Sequence, residues 1–156
     1  MINEYKPYID RLKSSGLRPT KQRLAICKIL FNRTETFHFS IESLKKIVAK
    51  NTKNKISLAT LYNTVHAFRK NGYLKEISLK GNKTFFDTNT KNHHHFYDGD
   101  TGKLLDIKNE DILIGKVSHI PNGKKIREIE VTVRIASDNH NRKINNKISK
   151  INHLLK

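Results

Sequence analysis

An α+β chain is predicted, with helices in its first half and short strands after them. Three observations carry that prediction. Apolar residues recur at helical spacing up to about residue 70. The period then drops to two across "YLKEISL" and "KTFFD", which "KGN" joins as a Gly-containing turn. Two more alternating runs, "GKLLDI" and "IREIEVTVRIA", follow beyond residue 100.

Each helix has a marked start. In "RPTKQRLAICKILFN", Thr20 is the N-cap of a helix whose apolar stripe is Leu24, Cys27, Leu30 and Phe31. In "FSIESLKKIVAK", Ser40 caps, and Phe39 and Leu44 form a hydrophobic staple around it. "ISLATLYNTVHAFRKNG" repeats the device with Ser57 as cap and Ile56 and Leu61 as staple. Leu58, Leu61, Val65 and Phe68 then follow at spacings of 3, 4 and 3, which predicts one buried face. Asn71-Gly72 supplies a left-handed exit. Three or four helices followed by a hairpin is the order of a winged helix. In that fold the last helix enters the major groove and the hairpin reaches the backbone.

Charge agrees with such a role. The 156 residues carry 31 Lys and Arg against 14 Asp and Glu, a net charge of +17. Residues 1–80 hold 17 basic and 5 acidic side chains, net +12, whereas residues 81–156 hold 14 and 9, net +5. A surplus concentrated in one half is the footprint of a polyanion partner, most often nucleic acid. On the last predicted helix, Thr60, Asn63, Ala67 and Lys70 point away from the stripe, with Tyr62 and His66 on its flanks. Asn makes bidentate contacts to adenine, and methyl-bearing groups meet thymine methyls. Lys21, Arg23, Lys55, Lys70, Lys80 and Lys83 are then candidates for phosphates, which position a protein without reading sequence.

Cys27 is the single cysteine, so neither an intrachain disulfide nor a structural cysteine zinc site is possible. Its alternation with Leu24 and Leu30 places it in the core. No apolar run is long enough to span a bilayer and the N-terminus lacks a signal-peptide core, so a soluble cytoplasmic protein without a membrane partner is expected. Catalysis is not expected, for there is no paired-carboxylate, nucleophile–base or phosphate-cradling glycine constellation.

The motifs "GLRPTKQRLAICKIL", "FHFSIESL", "ISLATLYNTVHAFRKNGYL" and "GNKTFFDTNTKNHHHFYDGDTGKLLDI" together resemble the ferric uptake regulator family over roughly residues 14–136. The resemblance implies a winged-helix DNA-binding domain at 1–86, a small α/β dimerisation and ligand-sensing domain at 87–136, and a basic tail at 137–156. Asp98 and Thr101 stand where the family's first CxxC falls, and a second CxxC is absent. With "YNTVHAF", "HHHFY" and "REIEVTVRI", this is similar to the iron response regulator branch, which lacks the cysteine zinc site and is associated with haem and iron status.

In a strand, His93 and His95 share one face and His94 takes the other. The resemblance implies that His93, His94 and His95, with Asp87 at the end of the wing and His38 before the third helix, are metal ligands spanning both domains. Neutral imidazoles suit Fe, Mn or Zn. The same cluster is alternatively a haem site, through one or two axial imidazoles. His66 is read as flanking the groove, and His119, His140 and His153 lack companions that would make them ligands.

Two or three strands do not make a stable domain alone. In the family they pair with those of a second subunit, so a homodimer presenting two recognition helices is expected. Beyond Asp138, Ile144, Ile148, Ile151 and Leu155 recur at spacings of 4, 3 and 4, consistent with an amphipathic helix. The expected function is a sequence-specific regulator, mostly a repressor, that binds AT-rich promoter DNA of iron- or haem-related genes and responds to haem or a divalent metal. The alternatives are a non-specific basic, architectural nucleic-acid-binding protein without ligand sensing and, less favoured, a haem carrier.

Overall fold

A computed structural model describes residues 4–53 and 55–137. The predicted tail helix, with Ile144 to Leu155, lies outside the described residues, as do His140 and His153. The chain divides into two compact units, one up to residue 91 and one from residue 92.

The first unit begins with four helices: α1 (Lys6–Ser14), α2 (Lys21–Phe31), α3 (Ile41–Asn51) and α4 (Leu58–Lys70). The caps sit where the sequence predicts them. Thr20 accepts from the Arg23 N–H at 3.3 Å and Ser57 from the Thr60 N–H at 3.1 Å, each satisfying a donor that a helix start leaves open. Ser40 accepts from the Ser43 N–H at 3.2 Å while the Ser43 hydroxyl accepts from the Ser40 N–H at 3.0 Å, a reciprocal capping box. Just past the end of α4, Gly72 has a φ of 73° that lets the Tyr73 N–H reach back to the Phe68 carbonyl at 2.9 Å.

The helices enclose Ile26, Cys27, Leu30, Leu44, Val48, Leu61, Val65 and Phe68, all buried. The predicted buried face of α4 needs one correction. Leu58 is 44% exposed, and Thr64 is buried instead, its hydroxyl donating to the Thr60 carbonyl at 2.7 Å. Leu58 is the first residue of α4, where no preceding turn stacks on it, whereas Thr64 lies mid-helix beside Leu61 and Phe68. Burying a threonine costs little once its hydroxyl is hydrogen-bonded locally.

Strands β2 (Lys75–Leu79) and β3 (Lys83–Asp87) form the predicted wing, with Lys75 opposite Asp87 and Leu79 opposite Lys83. Gly81 and Asn82 turn the hairpin with φ of 82° and 56°. A two-residue strand β1 (His38–Phe39) completes the sheet in the order β1-β3-β2. Two residues carry no period, so the sequence alone does not reveal this strand.

The second unit has β4 (His94–Asp98) between antiparallel β5 (Leu104–Ile107) and parallel β6 (Thr132–Ile135). A strand predicted over 126–136 is thus shortened at its start. Thr132 already lies opposite His95, so earlier residues would need partners preceding the first residues of β4. Between β5 and β6 run a single 3-10 turn, Asn109–Asp111, and a reverse turn at 121–124 closed by the Lys124 N–H on the Pro121 carbonyl. Among the described residues no helix is long and apolar enough to cross a membrane.

Candidate metal centre and DNA-reading face

In the first unit, β1 pairs with β3 so that His38 lies opposite Asp87 and Phe39 opposite Phe86. Residues facing each other across a ladder share a side of the sheet. The His38 Nε2 accordingly lies 3.3 Å from the Asp87 Oδ2, in a pair whose carboxylate is fully buried. The other Asp87 oxygen accepts the Asn89 N–H at 2.8 Å, fixing the carboxylate at the end of the wing. An imidazole and a carboxylate held this way offer two donors to a divalent cation.

In the second unit, His94 and His95 open β4 on opposite sides, and His93 precedes them. The His93 and His95 rings lie 4.4 Å apart. The His93 Nε2 is 3.4 Å from an Asp106 oxygen and the His95 Nε2 is 4.0 Å from the same atom. The His95 Nδ1 is 3.4 Å from a Glu130 oxygen. His94 does different work: its Nδ1 accepts the Val131 N–H at 3.3 Å, joining β4 to the residue before β6. All three rings are buried, His95 completely. Two imidazoles and the Asp106 carboxylate thus converge, a mixed nitrogen and oxygen donor set of the kind suited to Fe, Mn or Zn, while Glu130 holds the other nitrogen of His95.

Asp106 and Glu130 were not among the sequence candidates. Asp106 follows from register, since it lies directly opposite His95, but register depends on pairing that a single strand does not display. Glu130 lies just ahead of β6, and nothing in "REIEV" distinguishes it from Glu128. Among the described residues, the remaining histidines, His66 and His119, are not in the metal-ligand group.

The DNA-facing candidates divide by what they touch. On α4, Tyr62, Asn63 and Lys70 are exposed, while Thr60 and Ala67 are half-buried. The Thr60 hydroxyl lies 2.9 Å from that of Ser57, so it completes the helix start. Lys21, Lys55, Lys80 and Lys83 are exposed. Arg23 donates from its Nη1 to the Arg18 carbonyl at 3.1 Å and is partly engaged within the loop before α2. Lys55 also supports the fold, its carbonyl accepting from the Gln22 amide at 3.0 Å.

The model of the ferric uptake regulator family matches residues 14–135. The peroxide-responsive repressor PerR of Staphylococcus aureus (strain Mu50) is 31% identical over 106 residues, 68% of this chain and 70% of that protein. The chain belongs to the ferric uptake regulator family. Its fold is that of the Vibrio cholerae ferric uptake regulator, with a TM-score of 0.63 at 21% identity over 83% of this chain and 98% of the other. The manganese-bound ferric uptake regulator of Pseudomonas aeruginosa gives 0.59 at 17% identity over 84% and 98%.

Where the ferric uptake regulator family resemblance places a first CxxC, this chain has Asp98 and Thr101 joined by hydrogen bonds. The Asp98 carboxylate accepts the Thr101 hydroxyl at 2.7 Å and the N–H groups of Asp100 and Thr101 at 2.8 and 3.2 Å. Those donors, the hydroxyl first, hold its carboxyl below the ordinary value of 3.8. The Asp100 carboxylate in turn accepts the Ser137 N–H at 2.6 Å, and the Gly99 N–H reaches the Ile135 carbonyl at 2.8 Å. The β4–β5 turn is therefore tied to the end of β6 by polar contacts that need no thiolate.

Proposed function

We propose that this chain is a metal-responsive transcriptional repressor that binds promoter DNA as a homodimer. The observation that carries the reading is the β1–β3 ladder, which puts the His38–Asp87 donor pair on the same sheet as the wing. A second donor set, His93, His95 and Asp106, lies in the following unit, with Glu130 on the far nitrogen of His95. Five residues of chain, 88–92, separate Asp87 from His93. Each set offers donors to a divalent ion, His38 and Asp87 in the first unit and His93, His95 and Asp106 in the second. His94, which accepts the Val131 N–H, ties β4 to the residue before β6. Metal occupancy can act on DNA binding only if the ion binds one state of the protein better than the other, because a ligand shifts a two-state equilibrium only through such a difference.

DNA reading falls to α4. Asn63 supplies an adenine contact and Tyr62 an apolar edge for thymine methyls, which supports a preference for AT-rich sites. Lys21, Lys55, Lys70, Lys80 and Lys83 serve phosphates. The dimer surface is the sheet row Leu105–Phe96–Val133, in which register aligns the three residues and leaves Leu105 51% and Val133 36% exposed. Carboxylates beside both His93 and His95 favour a divalent ion over haem as the input, because hard oxygen donors suit Mn and Fe ions.

Fluorescence anisotropy on AT-rich promoter fragments and a scrambled control, at fixed salt, tests the reading. Metal-free protein, protein with Mn²⁺ and protein with haem are compared. Tight binding to the promoter fragment that requires Mn²⁺ is expected. Specific binding lost on adding haem would replace the metal reading with haem sensing. Equal binding to every fragment under all conditions would leave a basic DNA-coating protein.

A further inference from the structure

The β1–β3 ladder has two rungs, and they face opposite ways. His38–Asp87 is one and Phe39–Phe86 the other, and successive strand residues alternate sides. The donor pair and the phenyl pair therefore share one short piece of backbone. Phe39 and Phe86 are almost completely buried, with ring centroids 5.7 Å apart. Phe86 meets the His66 ring at 5.9 Å with an interplanar angle of 88°, an edge-to-face contact. His66 in turn lies nearly parallel to Tyr62, with centroids 5.9 Å apart and planes 11° from each other. Residues four apart on a helix are neighbours on its surface, and Tyr62 is 39% exposed on the DNA-reading side of α4. Both geometries fall in the range of about 4.5–7 Å that aromatic pairs favour.

We infer that His66 is a positioning residue: its ring transmits order in the His38–Asp87 rung, through Phe86, to Tyr62 on the DNA-reading face. The inference rests on the proposed function, in which His38 and Asp87 hold the ion. A two-residue strand is far shorter than strands that persist by themselves, so drawing its imidazole and the facing carboxylate onto one cation fixes a ladder that is otherwise weakly specified. The neighbouring rung moves with it, because both rungs are the same backbone. Phe86 then presents a fixed edge to His66, and His66 a fixed face to Tyr62. Without the imidazole, Tyr62 loses its stacking surface and Phe86 its edge-to-face partner.

The test compares wild type with His66→Ala and His66→Phe. DNA affinity is measured by anisotropy with and without Mn²⁺, alongside Mn²⁺ affinity by calorimetry and thermal melting. His66→Ala is expected to fold and bind Mn²⁺ like wild type, since His66 is exposed and contacts neither His38 nor Asp87 in this aromatic chain. The gain in DNA affinity produced by Mn²⁺ should shrink by about fivefold or more, in the range seen for residues that modulate coupling. His66→Phe, which keeps a ring, should restore most of that gain. An undiminished gain in His66→Ala overturns the inference. An equal loss of affinity with and without Mn²⁺ also overturns it, by making His66 a direct DNA contact. Failure of His66→Phe to restore the gain does the same, by showing that stacking is not what matters. If wild type itself gains nothing from Mn²⁺, the proposed function falls and this coupling with it, an outcome visible before any variant is made.

Discussion

Replacing His95 by Ala removes an imidazole that has Glu130 at 3.4 Å on one nitrogen and Asp106 at 4.0 Å on the other. We expect Mn²⁺ affinity to fall by at least about tenfold, measured by titration calorimetry, because ligand loss costs no less than the roughly 10–100-fold of an outer-shell change. His94→Ala should behave differently although it is the adjacent residue. It removes the acceptor for the Val131 N–H and should cost about 1–3 kcal/mol of stability in chemical denaturation, with Mn²⁺ affinity retained. Equal effects of the two substitutions on metal affinity would refute the division of faces. Cys27 gives a third residue-scale expectation. Burial pushes its thiol from 9.0 up to about 11, so native protein at pH 8 should resist iodoacetamide while denatured protein reacts. The sign follows from the proton count. The folded state keeps a proton that the unfolded state loses, so the Cys27 contribution to stability is complete below pH 9 and is lost as pH rises through about 11. Alkylation of the native chain as fast as of the unfolded one would contradict its burial.

Local signals survived the passage from sequence to structure, and long-range ones did not. Thr20, Ser40 and Ser57 were readable as caps because a cap is settled within four residues of itself. The wing was readable because alternation and the Gly81 turn are contiguous. Leu58 belongs to the apolar stripe yet is exposed, because a stripe specifies a face and not how far neighbours extend along it. Strand β1 was illegible, and with it the contact of His38 and Asp87 was an inference from family likeness only. Asp106 and Glu130 became visible once β4 was seen between β5 and β6. At this scale the Asp98 clasp carries a prediction. Its carboxyl is held below 3.8 by the Thr101 hydroxyl and two N–H groups. The contribution is therefore present above pH 3.8 and is lost as pH falls through the lowered value. Asp98→Ala should lower the melting temperature at pH 7 by a few degrees and leave little difference from wild type in strong acid. An unchanged melting temperature at pH 7 would show that the turn closes without the carboxylate.

Across the whole chain, charge and symmetry act together. The +12 of residues 1–80 accompanies the winged unit, so affinity for promoter DNA should fall with salt by about 0.9 in log K for each phosphate neutralised. A dimer placing two copies of α4 on DNA should show both that slope and a preference for a two-fold symmetric site. Leu105→Glu puts a charge in the row Leu105–Phe96–Val133. It should yield monomers in sedimentation velocity and weaken promoter binding while sparing secondary structure. A stable dimer from this variant would move the interface elsewhere. Strand β4 ties these scales together, since one side carries His95, next to the His93 ring just ahead of the strand, and the other carries His94 and Phe96. Ordinary strands have an idle side on which heredity can wander. This one has none. A randomised library selected for repression should therefore accept the fewest replacements at 93–97 and many at the exposed turn 108–111, a scarcity set by geometry before any ligand is added.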